Sequence, residues 1–174
     1  MTTLHTRAKL IFPEQVSPPD SFNILSDDLP TVDFVVSRTR DGVTVSVYGD
    51  MVWDFTVYHP EGKPSSLIFT YWDEGEITPK RKIIIEEIKQ IFFTLIWLRD
   101  KQPLSVGTLR NYLTVVRTIA KFAEQKKITV KTVIGNEGEF LEFIKFQNSG
   151  WLIETLSSLL ILLANCNNKK IEIN

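Results

Sequence analysis

Hydrophobic periodicity changes once along this chain, at the hexapeptide ITPKRK (77–82). Ahead of it, apolar and polar residues alternate in short runs. Behind it, apolar residues recur every three to four positions, the spacing of a helix with one buried face. A chain divided in this way folds as α+β, with strands and helices in separate stretches. The strand-like runs are TVDFVVS (31–37), VTVSVYG (43–49), MVWDFTVY (51–58) and SLIFTYW (66–72), rich in β-branched and aromatic residues. RDG (40–42) and YGD (48–50) supply turn residues between them, and HPEGKP (59–64) a longer loop. These runs predict a small antiparallel sheet of three or four strands, arranged as a meander. The first 30 residues contain Pro13, Pro18, Pro19 and Pro30 and read as an irregular lead-in.

Four helices are expected after the switch, over about 80–99, 105–126, 137–147 and 150–166, joined by short links into a compact bundle. Ser105 follows the breaker Pro103 and is the expected N-cap of the second helix. Asn136 is the expected cap of the third, with Glu137 and Glu139 placed to favour its dipole. The predicted division is therefore a strand-rich domain, 1–78, and a helical domain, 79–174. No internal repeat or low-complexity tract interrupts either.

Charge follows the same division. Residues 1–78 hold 5 Lys/Arg against 12 Asp/Glu, a net of −7, whereas 79–131 hold 12 against 4, a net of +8. Residues 132–174 hold 3 against 5, so the whole chain comes to −1 and hides a basic block between two acidic ones. Local charge selects local partners. The basic block centres on LSVGTLRNYLTVVRTIAKFAEQKK (104–127). At 100° per residue, Arg110, Thr114, Arg117 and Lys121 fall within about 60° of one another, flanked by Asn111, Thr118 and Gln125. Leu109, Tyr112, Leu113, Val116, Ile119, Ala120 and Ala123 take the other side. Most charged helix faces are simply solvated, but those usually mix signs and set Glu before Lys for local pairing. This face has no acid before Glu124, and an external polyanion would relieve its self-repulsion.

The same segment resembles the second helix of the core-binding domain of tyrosine recombinases, the phage-integrase family. The likeness is carried by Ser105, Thr108, Tyr112, Val116, Ile119 and Phe122, and by the helices on either side. EEIKQIFFTLIWLRDKQ precedes it; ITVKTVI, FLEFIKFQ and SGWLIETLSSLLILLA follow, with Thr155 and Leu156 at matching positions. The resemblance covers about 80–165. It implies a four-helix, SAM-like orthogonal bundle that clamps one side of duplex DNA at a crossover site during DNA integration and recombination. Carried over by position, Arg110, Asn111, Thr114, Arg117 and Lys121 would face DNA and Thr108 would meet a phosphate. Lys80, Arg81, Lys82, Lys126 and Lys127 would add backbone contacts. Leu109, Leu113 and Val116 would be core, and Tyr112 core or rim. The implied setting is the bacterial cytoplasm, at the nucleoid, and the implied partners are duplex DNA and a catalytic domain or further recombinase protomers.

The departures from the family are informative. Its catalytic domain needs several Arg and His residues and a late Tyr nucleophile, but His5 and His59 are the only histidines, both in the amino-terminal half. This chain is expected not to cut DNA, as a piece of a larger recombinase or a naturally short relative. WLIETLSSLLILLANCNN carries no basic residue before Lys169, and its leucines suggest a covered surface. The acidic front should be repelled by DNA and suits a bracing or protein-contacting role. A protein-interaction module, docking through the leucine-rich last helix or the sheet edge, is the alternative from another class.

Other chemistry finds little support. YWDEGE (71–76) lacks the ligand spacing of a calcium loop and reads as a solvated turn. Asp50 and Asp54 share a strand face without a His or third acid, and Trp53 between them reads as core. No glycine-rich phosphate loop or Cys/His metal cluster is present, and no cofactor is expected. Cys166, the single cysteine, reads as a packing residue. MTTLHTRAKLIF has no signal-like apolar core, and the apolar runs 83–98 and 151–164 are interrupted by charge or too short to span a bilayer, so no membrane role is expected.

Overall fold

The computed structural model describes residues 5–25, 29–99, 101–164 and 166. It is an α+β fold with three two-stranded antiparallel ladders and five α-helices among the described residues. Strand β1 (His5–Thr6) pairs with β2 (Phe22–Asn23), β3 (Val35–Arg38) with β4 (Thr44–Val47), and β5 (Val52–Asp54) with β6 (Ser66–Ile68). The helices are α1 (Pro79–Phe93), α2 (Val106–Lys126), α3 (Val130–Gly135), α4 (Glu137–Lys145) and α5 (Gly150–Ala164).

The single meander expected from the sequence is instead two separate hairpins. Between them, the Asp54 amide donates to the Ser46 hydroxyl at 2.9 Å, so a side chain stands where a ladder carbonyl would. Asp54 also ends its own strand: its carboxylate accepts from the Thr56 amide and hydroxyl, and residues 56–58 turn into a 3₁₀ helix. The first hairpin turns at Gly42, whose φ of +85° favours glycine. Beyond β4, the Gly49 amide donates to Val32 O at 2.8 Å, and a Cβ there would lie 2.9 Å from that same oxygen.

The lead-in is also more ordered than expected. Besides forming β1 and β2, it is tied to the helical half through its backbone. Lys9 N donates to Ile96 O at 2.6 Å, Leu104 N to Lys9 O at 2.9 Å, and Ile11 N to Leu104 O at 2.9 Å. Trp97 Nε1 donates to Asp20 O at 2.9 Å. Tyr58 holds the lead-in from the other side, donating to Ser17 O at 2.9 Å while accepting from the Arg38 amide at 3.0 Å.

Helices α1, α2 and α4 begin at side-chain caps, and those at Ser105 and Asn136 are as expected. Thr78 caps α1, with Pro79 in the first turn, where its missing N–H costs nothing. Ser105 caps α2 and Asn136 caps α4, both by accepting an amide three residues ahead. Two features depart from the expected four helices. The first helix widens into a π turn over Thr94–Leu98. The stretch ITVKTVI, expected as a link, contains α3, whose Val130 amide donates to the buried Glu87 carboxylate of α1 at 2.9 Å. A six-residue helix has little stability of its own, so that distant acceptor matters.

The segments expected as two domains, 1–78 and 79–174, share one buried cluster. Phe93 is its joint: its ring centroid lies 4.9 Å from Phe22, 5.7 Å from Phe34, 6.0 Å from Tyr48 and 5.0 Å from Trp97. Trp53, buried as expected, packs edge-on against Phe69, and Phe69 meets Phe92. All four tyrosines are buried, and burial pushes each phenol above its ordinary range; at Tyr48 the hydrogen bond to Glu86 adds to the effect.

Phe93→Ala should destabilise the protein by about 3–5 kcal/mol. Because the joint is shared, near-ultraviolet and far-ultraviolet circular dichroism should lose their signals at one common, lowered midpoint. The tyrosines make a second prediction. Their folded pKa values lie above the unfolded value of about 10, so their stabilisation is intact below that pH and is lost as pH climbs beyond it. Tyrosinate absorbance should therefore stay flat through about pH 10 and rise only as the fold is lost.

Candidate nucleic-acid interface

Helix α2 is oriented by its apolar side. Leu109, Leu113, Val116, Ile119, Ala120 and Ala123 are buried, as expected, against α1, α3 and α5. Tyr112 joins them at 7% exposure. That seating turns Arg110, Asn111, Thr114 and Lys121 to solvent, with Arg117 half-buried among them. Neither Arg110 nor Arg117 has a carboxylate within salt-bridge distance among the described residues. The buried Nε of Arg117 has no hydrogen-bond partner at all. Lys121 is loosely held, 3.8 Å from an Asp73 carboxylate that is itself 88% exposed.

The hydroxyls on this face point inward. Thr114 Oγ1 donates to Arg110 O at 3.1 Å, and Thr118 Oγ1 to Thr114 O at 3.1 Å. Thr108 is half-buried, and its hydroxyl shares a 2.9 Å hydrogen bond with the Ser105 cap.

The remaining cations named from the sequence surround the carboxyl end of α2, and several are already engaged. Arg81 donates to Glu124 at 2.7 Å and to Glu76 O at 2.8 Å, and its guanidinium lies 4.5 Å from the Trp72 ring. Lys126 bridges Glu139 at 2.7 Å and Glu142 at 2.5 Å, joining α2 to α4, and those carboxylates push its pKa up. Lys80 donates to Lys127 O at 2.9 Å, closing a helix end where Lys127 adopts a left-handed φ of 60°. Lys82 and Lys127 are exposed. Arg81 and Lys126 therefore fasten elements together, whereas Arg110, Arg117, Lys82 and Lys127 have no carboxylate within salt-bridge distance among the described residues and Lys121 has only the loose contact with Asp73.

One feature had no counterpart in the sequence reading. A groove of about 380 Å³ runs along the edge of this face between α2 and α4, with Phe122 and Phe146 in its walls. Phe146 falls inside the helix expected over 137–147, with no role expected there; in the structure α4 ends one residue before it.

The other acidic candidates are turn residues. Asp50 accepts from the Val47 amide at 2.9 Å, and Asp73, Glu74 and Glu76 are exposed. Among the described residues no three His, Cys, Asp or Glu side chains gather as a metal site, and no helix is long and apolar enough to cross a membrane. Cys166 is buried, and burial pushes its thiol pKa up. Comparison with protein-family models, curated proteins and solved structures finds no match to this chain.

The contrast between engaged and open cations can be measured. Arg81→Ala should lower the thermal midpoint, because it unfastens the 74–76 loop from α2. Arg110→Ala should leave that midpoint unchanged in the same calorimetric scan.

Proposed function

We propose that the exposed face of α2 binds duplex DNA, and that the chain is the DNA-gripping portion of a tyrosine recombinase. The observation that supports this reading is the pair Arg110 and Arg117. They stand on a well-packed helix beside Lys121, without carboxylate partners among the described residues, while neighbouring Arg81 and Lys126 are fully engaged. Unneutralised cations in one row are what phosphates displace counterions to reach. With a rise of 1.5 Å per residue, Arg110 to Lys121 spans about 16 Å, a length over which each DNA strand carries about five phosphates. Contacts of this kind position the protein, and sequence preference would come from Arg110 or Asn111 reaching a base edge.

The strand-rich front then acts as a brace for α1, and among its described acids Asp73 is the one within salt-bridge distance of the binding face. On this reading strand cleavage belongs to a separate catalytic domain, and the chain works at the bacterial nucleoid. The alternative of a protein-docking module is favoured by a different observation: Trp151 and Ile161 on α5 are 49% and 61% exposed.

A titration with labelled mixed-sequence duplex separates the two. Affinity should fall steeply with salt. Replacing Arg110, Arg117 and Lys121 together with Ala should nearly abolish binding and reduce the slope of log K against log salt by about 3. Binding by the triple variant equal to that of the parent would overturn the assignment of this face.

A further inference from the structure

The groove beside α2 carries the reading one step further. Phe146 is 68% exposed, the most exposed aromatic side chain among the described residues. Its ring lies 6.4 Å from Phe122, whose other neighbours are Phe143 and the Lys126 ammonium. The α2 wall of the groove is made by Thr118, Lys121 and Gln125, residues of the basic face itself. The α4 side adds Gln147, whose amide nitrogen donates to Phe143 O at 3.2 Å and so leaves its oxygen to accept. Lys126 and Glu142 also line the groove but neutralise each other.

We infer that this groove receives the base of an unpaired nucleotide, stacked on Phe146, while its phosphates stay on the Arg117 and Lys121 side. The inference rests on the proposed DNA-binding face. A nucleobase presents what these walls complement: a flat π surface for the ring, and an edge of donors and acceptors for the two glutamine amides. Its adjoining phosphate meets Lys121, held only at 3.8 Å by an exposed aspartate. An apolar peptide would find two rings, Phe122 and Phe146, among amides and charged side chains, whereas a base can use both the Phe146 ring and the amides, which favours a nucleotide occupant. The substrate class is therefore DNA with extruded or unpaired bases, bound in preference to continuous duplex.

The test uses the full chain and two fluorescein-labelled duplexes of the same sequence, one continuous and one with two unpaired thymines at its centre. Fluorescence anisotropy should show about tenfold tighter binding of the bulged duplex, in the range expected for a stacked base. Phe146→Ala, at an exposed position, should bind the continuous duplex as the parent does and lose the preference, while Phe146→Trp should keep it. Equal binding of both duplexes by the parent, or an unchanged preference in Phe146→Ala, would overturn the inference and leave the α2 face intact. Failure of the parent to bind either duplex would overturn the α2 reading, and the groove's role with it.

Discussion

The structure depends on covering one aromatic surface. Phe92, Phe93 and Trp97 project from α1 and its π turn, and all three are buried. Strands and lead-in supply the cover through Phe22, Phe34, Tyr48 and Phe69. The rings meet mostly edge to face, an arrangement in which the positive rim of one ring meets the negative face of the next. This explains how strand pairs of two to four residues persist, when isolated hairpins of that size are marginal in water. Their stability comes from α1 and not from their own ladders.

A second layer of organisation comes from charged groups placed inside the fold. Glu87 accepts the first amides of α3, and Lys89 donates to Gly49 O at 3.0 Å between the rings of Tyr48 and Phe69. Burial pushes the Lys89 pKa down, as it does that of Arg99, whose guanidinium holds the carbonyls of Leu95 and Gln102. Such groups are tolerated because their hydrogen bonds are made. They also set the background against which Arg110 and Arg117 stand out. Arg110 and Arg117, about two turns apart on a packed helix, have no carboxylate within salt-bridge distance among the described residues.

How much of this was legible in the sequence follows from the range of each interaction. The α+β class, the caps Ser105 and Asn136 and the buried face of α2 depend on residues a few positions apart, and local spacing carries them. Helix α3 depends on Glu87, 43 residues away, and nothing in ITVKTVI announces that acceptor. The split of the meander depends on the Ser46 hydroxyl, one of many serines that a sequence reading treats as solvated. The candidate face was legible as a row of cations, but which of them were open was not. Arg81 meets Glu124 across 43 positions, and Lys126 meets Glu142 across 16, so composition gave no sign of either pair. Phe146 falls inside the helix expected over 137–147, but only the approach of α4 to α2 shows what it neighbours.

The inward-turned hydroxyls of Thr114 and Thr118 have a kinetic consequence. With their protons committed to main-chain carbonyls, the short rigid donors of the ridge are withdrawn, and the donors left outside belong mainly to long side chains. A charged strand lying there would be held by tethers that reach several oxygens in turn, with no fixed peg to set a register. Such a surface would let a bound duplex translate along it in small steps, and a pause would come only where something other than a phosphate entered the contact.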